Sequence, residues 1–442
     1  MADSIAVRAR PYRESFRDAG SRHLTNASRP WTEAVFSSTA LSLLFVFVYG
    51  ECNALASRRT DLGTCFFAWE LRIPFVPALI LPYMSIDLFF VASFLLCADR
   101  IELRAHTRRI VAAILVAGLA FLVFPLTAGY PRPEVSGWAA PLFGLLRSFD
   151  KPHNLVPSLH VALASLLWAV YARHTPPNTH GSLRWFVHLW FTLIIASPLF
   201  TWQHHLLDVV TGAMLGQICM FVFPGWHERV LERSASANFR VARLYAAGSA
   251  VLGILAIALG SWFWLLAWPA ASLALIAIAY ARGNSSVFRK SGGRFPISTR
   301  VVLGPYLFGA YVSLLIYRRR GEPWVEAAPG VYCGRLLTKR EARAVRSMGV
   351  TGVLDLTAEH AETRAFLGLD YLNVPVLDLT APSREQSDVA VDFIVEHAHS
   401  GGVYVHCALG ISRSIAAVAA YIASREAEPD PAPMLPPELT VR

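Results

Sequence analysis

Near the C-terminus, the residues Val403-Tyr404-Val405-His406-Cys407-Ala408-Leu409-Gly410-Ile411-Ser412-Arg413-Ser414 stand in an order that suits phosphate handling by a thiolate. The β-branched run predicts a buried strand, the stretch around Gly410 a loop, and the Ala-rich run after Ser414 a helix. N–H groups of such a loop, backed by a helix N-terminus, converge on one point and favour an anion there. The same field lowers the pKa of Cys407 and yields a nucleophilic thiolate at neutral pH. Arg413 can fork two phosphate oxygens, and Ser414 can donate to the sulfur as it leaves. His406, Ala408, Leu409, Gly410, Ile411, Ser412 and Ser414 then make the phosphate-binding stretch. A structural Cys beside a surface Arg is the bland alternative, but it does not account for strand, Cys, Gly, Arg and helix arriving together.

A second constellation lies far upstream, in Asp150-Lys151-Pro152-His153-Asn154-Leu155-Val156-Pro157-Ser158-Leu159-His160 and His204-His205-Leu206-Leu207-Asp208. The i, i+4 spacing predicts that His204 and Asp208 share a helix face. The carboxylate would hold one imidazole nitrogen protonated and leave the other free to attack. His160 can supply a proton to a leaving group. The alternative is a set of interfacial His residues that anchor helix ends. His153 and His205 read as interface or packing residues, and Asp87 either is buried and paired or lines a substrate cavity.

The chain has 442 residues, 54% of them hydrophobic and only 16% charged, with mean hydropathy +0.42, so much of it must be solvated by lipid. Its 40 Lys and Arg against 31 Asp and Glu, net +9, sit in short clusters between apolar runs. That pattern is membrane-topology charge and argues against a nucleic-acid surface. Six scattered Cys argue against a disulfide scaffold or zinc site, although Cys52 and Cys65 share one inter-span loop and could pair if it is extracytoplasmic. Apolar runs at 34–56, 73–97, 110–128, 159–172, 185–202, 205–226, 241–260 and 262–281 predict eight membrane spans. Alternating loops put the Arg-rich N-terminus with Arg100, Arg104, Arg108, Arg109, Arg173, Arg184, Arg229, Arg233, Arg240 and Arg243 on one side, hence cytoplasmic. The His and Asp constellation then falls at the opposite ends of its helices. A ninth run, 301–317, is read as interfacial, because Arg318, Arg319 and Arg320 follow it and because Cys407 needs a reducing compartment.

From Glu322 the composition turns soluble. Strands are predicted at 330–335, 350–356, 371–376 and 403–405, with helices at 338–348 and 384–397. The divisions are a basic tail (1–33), a membrane domain (34–226), two further spans with the interfacial helix (227–321), a small α/β domain (322–425) and a Pro-rich tail (426–442). Because that tail cannot be helical, the domain is expected to end early and leave part of its sheet uncovered unless the membrane domain or a partner shields it.

The motif His406-Cys407-x2-Gly410-x2-Arg413-Ser414 resembles the signature loop of the dual-specificity and tyrosine phosphatases, with every position filled. The resemblance implies a phosphocysteine intermediate and a general acid about thirty residues upstream, where Pro375-Val376-Leu377-Asp378 makes Asp378 the candidate. Asp355 and Glu359 then serve the fold. The upstream constellation resembles the type 2 phosphatidic acid phosphatases. The nearest branch contains the inositol phosphorylceramide synthases, through Pro157-Ser158-Leu159-His160. That implies His204 as nucleophile, Asp208 as its orienting carboxylate and His160 as acid. Arg132-Pro133 matches the end of a phosphate-gripping motif whose Lys position holds Pro125, and Pro198 follows Ser197 where an Arg is expected; Arg132, Arg147 or Lys151 would supply the grip.

The whole is similar to bacterial inner-membrane proteins fusing these two domains. The expected fold is a multi-pass helical membrane domain, a six-helix core plus two spans, followed by a small α/β phosphatase domain on the cytoplasmic side. The expected activity is a membrane-bound phosphatase of phospholipid metabolism, acting on a phosphorylated lipid or phosphoprotein with membrane lipids as partners and no metal or cofactor. The alternatives are a lipid phosphotransferase with an accessory phosphatase, a membrane-tethered protein phosphatase, or a phosphate-binding module without turnover.

Overall fold

The computed structural model describes residues 29–60, 62–175, 181–225, 236–318, 322–366 and 368–427. Most of the basic N-terminal tail, Arg229, Arg233, Arg319, Arg320 and the Pro-rich tail lie outside these described residues. The chain forms two compact units, one within residues 24–228 and one within 229–442.

The first unit is helical: α1 (Trp31–Ala56), α2 (Ile80–Leu96), α3 (Arg100–Val123), α4 (Ala140–Phe149), α5 (Leu159–His174), α6 (Gly181–Phe200) and α7 (Leu206–Val222). Its centre is α5, which packs against α2, α3, α6 and α7 and buries Val161, Ala162, Ala164 and Leu167 completely. The close pairing of α5 with α7 depends on two glycines one turn apart. A Cβ on Gly212 would lie 2.3 Å from the Ser158 carbonyl oxygen, and one on Gly216 would lie 2.9 Å from that of Ala162. Small residues spaced in this way let helix backbones approach within lipid, where no hydrophobic force drives them together. Helix α3 starts ten residues before its predicted span, because Asp99 caps it by accepting from the N–H groups of Ile101 and Glu102 at 2.8 Å. The Arg100–Arg109 cluster therefore lies on a helix instead of a loop. Buried Glu102 of this helix meets Arg173 at 3.4 Å and His174 at 3.1 Å from the end of α5.

The second unit opens with a hairpin of α8 (Phe239–Leu259) and α9 (Ala267–Arg282), turned at Gly260 (φ 56°). Exposed Trp262, Phe263 and Trp264 sit at its tip, as aromatic residues do at a membrane interface. Short helices α10 (Ile297–Val302) and α11 (Gly304–Tyr317) follow, with α11 against α9. By length and composition, six helical segments among the described residues are apolar enough to cross a membrane, against eight predicted spans. Helices α5 and α7, at 16 and 17 residues, fall short. At 1.5 Å per residue they reach only about 24–26 Å of a ~30 Å hydrocarbon core. The 14-residue α11 is shorter still.

The remainder is an α/β layer: β1 (Trp324–Ala328), β2 (Val331–Arg335), α12 (Lys339–Ser347), β3 (Gly352–Thr357), β4 (Asp370–Val376), α13 (Arg384–Ala398), β5 (Val403–Cys407) and α14 (Arg413–Ala427). The sheet order is β1-β2-β5-β3-β4, with β1 antiparallel to β2 and the other pairs parallel. The edge strand β1 went unforeseen because three of its five residues are exposed and it carries no continuous apolar run. The expectation of an uncovered sheet is corrected. One face packs Val389, Phe393, Ala417, Val418 and Tyr421 from α13 and α14, the other packs Ala342 and Val345 of α12 and Phe366, and β3 and β5 are buried throughout. The suggested Cys52–Cys65 pairing is also corrected: both are free thiols, Cys52 buried in α1 with its Sγ 3.5 Å from the Gly118 carbonyl, and Cys65 exposed.

Gly212→Val would force α5 and α7 apart. It is expected to destabilise the first unit by about 1–3 kcal/mol, read as a lower melting temperature of the full chain in detergent. Gly253→Ala, where a Cβ meets nothing within 4 Å, should leave it unchanged or slightly raised.

Candidate active site

Alternation along β5 decides which side chains meet. Val403, Val405 and Cys407 join the core under α13 and α14, whereas Tyr404 turns to the opposite face. Cys407 ends the strand at the C-terminal edge of the parallel sheet, where open α/β sheets hold their ligands. The chain then bends through Gly410, at φ 76°; a Cβ there would lie 2.8 Å from the carbonyl carbon of Gly334 and 2.9 Å from the nitrogen of Arg335. Only glycine fits that turn. The Gly410 N–H donates to Cys407 Sγ at 3.3 Å, and Ser414 Oγ lies 3.3 Å from the same sulfur. Burial alone would push the thiol up, but the Arg413 guanidinium, the Ser414 hydroxyl and the N–H groups of Ser414 and Gly410 outweigh it. The Cys407 pKa is lowered as a result.

Arg413, the first residue of α14, is buried to 2% exposure. Its fork is held by Glu359, with Nη1 at 3.0 Å from Oε2 and Nη2 at 2.7 Å from Oε1. Nη1 also donates to the Val376 carbonyl at 2.8 Å, and Nη2 to Asp378 Oδ1 at 3.0 Å. Sequence reasoning assigned Glu359 to the fold in general; its particular task, gripping the arginine 54 residues away, left no local signal. Burial would raise the Glu359 carboxyl, but the facing guanidinium holds it down to about 2. Asp378 is brought to the same arginine from the loop after β4. Its side chain stays about half exposed (53%), but partial desolvation raises the carboxyl, with Glu359 adding to the effect and Arg413 opposing it. The next residue, Leu379, has φ 56°, and its carbonyl accepts from Asn238 Nδ2 at 2.9 Å.

His406 is a correction to the expected phosphate-binding set. Strand alternation turns its imidazole away from the Cys407 face, where it stacks on Tyr404 and pairs with Glu362 Oε2 at 2.8 Å. Burial would lower its pKa, but Glu362 and Asp355 hold it raised. Asp355, Glu362 and His406 bring three possible metal-ligating atoms within 4.8 Å of one another. A buried Lys290 ammonium already lies against Asp355 and donates at 3.0 Å to both the carbonyl and the hydroxyl of Thr357. Sequence reading counted Lys290 only among the clustered positive charges taken as membrane-topology charge.

In the first unit, His160 and His204 line one largely apolar cavity of about 410 Å³, together with Asp87, Tyr49, Tyr83 and Asp150. His204 Nδ1 lies 3.3 Å from Asp208 Oδ2. The shared helix face is corrected: α7 begins at Leu206, and His204 stands in the turn before it while Asp208 Oδ2 caps the helix by accepting from the His205 N–H at 2.8 Å. His160 Nε2 lies 3.2 Å from the Ile194 carbonyl, and its ring stacks on Tyr83 at 4.2 Å. Arg132 is the other correction. It donates to the Asp150 carbonyl at 2.7 Å and to Oδ2 at 3.2 Å, and lines a separate cleft; among the described residues, no Lys or Arg lines the histidine cavity. His205 packs between Phe66 and Tyr130, its Nε2 accepting from the Gly129 N–H at 3.2 Å.

Glu359→Ala would strand the Arg413 charge in the interior. Because the folded carboxyl lies below its unfolded value of about 4.3, this stabilisation is complete above that value and is lost as pH falls toward 2. The variant should lose about 3–5 kcal/mol of unfolding free energy at neutral pH. In denaturant titrations of the full chain, its deficit should narrow from about pH 5 downward.

Comparison with known proteins bears on this site. The family model described as "Polymorphic toxin system, DSP-PTPase phosphatase" matches residues 329–427. Dual specificity protein phosphatase 26 of Bos taurus is 31% identical over 159 residues, covering 30% of this chain and 72% of that protein. Its Mus musculus counterpart is 30% identical over 187 residues, covering 37% and 78%. Dual specificity protein phosphatase 12 of Mus musculus is 38% identical over 102 residues, covering 22% and 30%. Both the match and the geometry fall on the C-terminal α/β domain, and through that domain the chain belongs to the dual-specificity phosphatase family.

Proposed function

We propose that this chain is a membrane-bound phosphatase of phospholipid metabolism, with Cys407 as nucleophile in its C-terminal domain. The observation that carries the reading is one sulfur, lowered in pKa, within 3.3 Å of both the Gly410 N–H and Ser414 Oγ, beside a buried Arg413 that also touches Asp378. The Cys407 thiolate attacks the phosphorus of a monoester, and the P–O bond to the alcohol breaks. Asp378, its carboxyl raised toward the protonated form, gives its proton to the departing oxygen. Arg413 and the N–H groups of the loop from Ala408 to Ser412 stabilise the charge on the phosphoryl oxygens. Water, deprotonated by Asp378, then attacks the phosphocysteine. The P–S bond breaks, the Ser414 hydroxyl stabilises the departing sulfur, inorganic phosphate leaves and the thiolate is restored. Phosphoproteins are the competing substrate, in line with the names of the relatives.

A second site is proposed in the first unit. His160 and His204 share one apolar cavity, and Asp208 lies against His204 Nδ1, which favours a His204 nucleophile acting on a lipid phosphate. Transfer to an alcohol acceptor is its alternative outcome. The C-terminal domain is assigned to the cytoplasmic side, where the thiolate stays reduced.

Cys407→Ser in the full chain should abolish turnover of an aryl phosphate. Asp378→Asn should lower kcat by about 10²–10⁴-fold and flatten the alkaline limb of the pH profile, since an amide has no proton to lose. Residual aryl phosphate turnover in Cys407→Ser at wild-type rate would overturn the assignment. In a Cys407→Ser background, phosphate release from a diacylglycerol phosphate should persist and then vanish in His204→Gln. Loss of that release in Cys407→Ser alone, or its survival when His204→Gln is added to Cys407→Ser, would remove the second site.

A further inference from the structure

The cavity beside the thiolate loop is closed by the apolar helices of the same unit. It measures about 240 Å³. On one side stand Glu359, His360, Asp378, Ala408 and Leu409. On the other stand Tyr245 of α8, Leu273 of α9, and Tyr306, Gly309, Ala310, Ser313 and Leu314 of α11. Three contacts hold these two walls together. Lys290 pairs with Asp355 at the end of β3, the Glu362 N–H donates to the Gly293 carbonyl at 2.8 Å, and Asn238 at the foot of α8 holds the loop of the candidate acid through Leu379. Each anchors a segment that borders Cys407 or Arg413. Leu273 lies nine residues, about 14 Å, along α9 from its basic end at Arg282. The cavity therefore runs from the catalytic loop into the apolar length of the hairpin. The rim of the loop is itself apolar and exposed, with Leu379 at 69% and Ile411 at 70%.

A site that served soluble phosphoproteins would need water-facing walls on every side of the loop. This cavity instead has Ala408 and Leu409, the two residues after Cys407, with Asp378 at one end, and the apolar residues Leu273, Gly309, Ala310 and Leu314 of the helices at the other. Its volume is below the ~300–1,000 Å³ of pockets that enclose a whole small ligand. It therefore suits a headgroup and the first carbons of a chain, the rest of the chain lying along α9 and α11. Gly309 borders open space on this side, since a Cβ there meets nothing within 4 Å, so a large side chain at this position would occupy the cavity.

We infer that the Cys407 site takes its substrate from the bilayer: a phosphate monoester of a membrane lipid, with phosphate on the loop and its apolar chain against Leu273, Gly309, Ala310 and Leu314. This inference rests on the reading of Cys407 as a phosphatase nucleophile. It makes the apolar helices a specificity wall and not merely an anchor.

The test uses the full chain in nanodiscs, in a His204→Gln background so that only the Cys407 site is read. Butyl, hexyl and octyl phosphate are compared with p-nitrophenyl phosphate and a phosphotyrosyl peptide. The relative kcat/KM should rise by about two- to fourfold per methylene until the chain leaves the cavity. Gly309→Phe should lower kcat/KM for octyl phosphate at least tenfold more than for p-nitrophenyl phosphate, and Ser313→Leu should do the same by a separate route. A flat chain-length series, equal losses on both substrates, or a phosphopeptide turned over faster than octyl phosphate would overturn the inference. Those outcomes leave the nucleophile assignment intact as long as p-nitrophenyl phosphate turnover disappears in Cys407→Ser. If it does not, the underlying reading fails instead.

Discussion

Arg413 is a full positive charge with almost no access to water, and the catalytic domain is arranged around keeping it there. A guanidinium in a low-dielectric interior is tolerated only when every donor finds an acceptor and the charge is matched. Glu359 matches it through a two-point fork, the Val376 carbonyl takes a third bond, and Asp378 takes a fourth from the cavity side. Glu359 and the Val376 carbonyl fix the guanidinium plane before any substrate arrives, and only the Asp378 bond on Nη2 has to be exchanged for a phosphoryl oxygen. It also draws three separate segments, the loop after β3, the end of β4 and the start of α14, to one point. The lowered Cys407 thiol and the position of Asp378 both follow from it.

The same logic extends to the hairpin. Lys290 is buried against Asp355, so this part of the unit is joined by an ion pair with hydrogen bonds to Thr357 and not by a loose linker. Removing either charge alone would leave the other stranded, which makes the pairing specific even if its net stabilisation is small. The consequence is a catalytic loop whose neighbours on one side are α8, α9 and α11, helices that expose apolar side chains over most of their length. In the proposed reading, the substrate meets this loop at the boundary between water and hydrocarbon. In the first unit a related constraint operates through shape: the glycines of α7 let α5 approach closely, so that Asp208 and the start of α5 share one region, with the Ser158 N–H donating to the Asp208 carbonyl at 3.0 Å.

Much was legible without coordinates. The strand before Cys407, the Gly410 turn and the helix after it follow from local rules of β-branching, backbone freedom and Ala content, and each is present. The apolar runs announced helices, but not their ends. Asp99 extends α3 by capping it, α5 continues past its apolar run to His174, and α7 stops at Val222 although its apolar run continues. His406 sits in the signature motif, yet strand alternation sends its ring to the other face, a distinction that motif matching does not make. Arg132 matched a phosphate-gripping motif by type, but Asp150, 18 residues away, claims it in space.

What the sequence by itself determined is chemistry carried by neighbours in the chain: a thiol, a glycine turn, an arginine and a hydroxyl within eight residues, whose mutual positions local backbone geometry sets. What only the tertiary structure decided is which distant charges meet. Glu359 with Arg413, Lys290 with Asp355 and Glu362 with His406 are separated by 44 to 65 residues, and no periodicity encodes such pairings. The placement of the apolar hairpin against the catalytic loop belongs to the same class. Buried ions must find partners wherever packing brings them, and packing is a property of the whole unit.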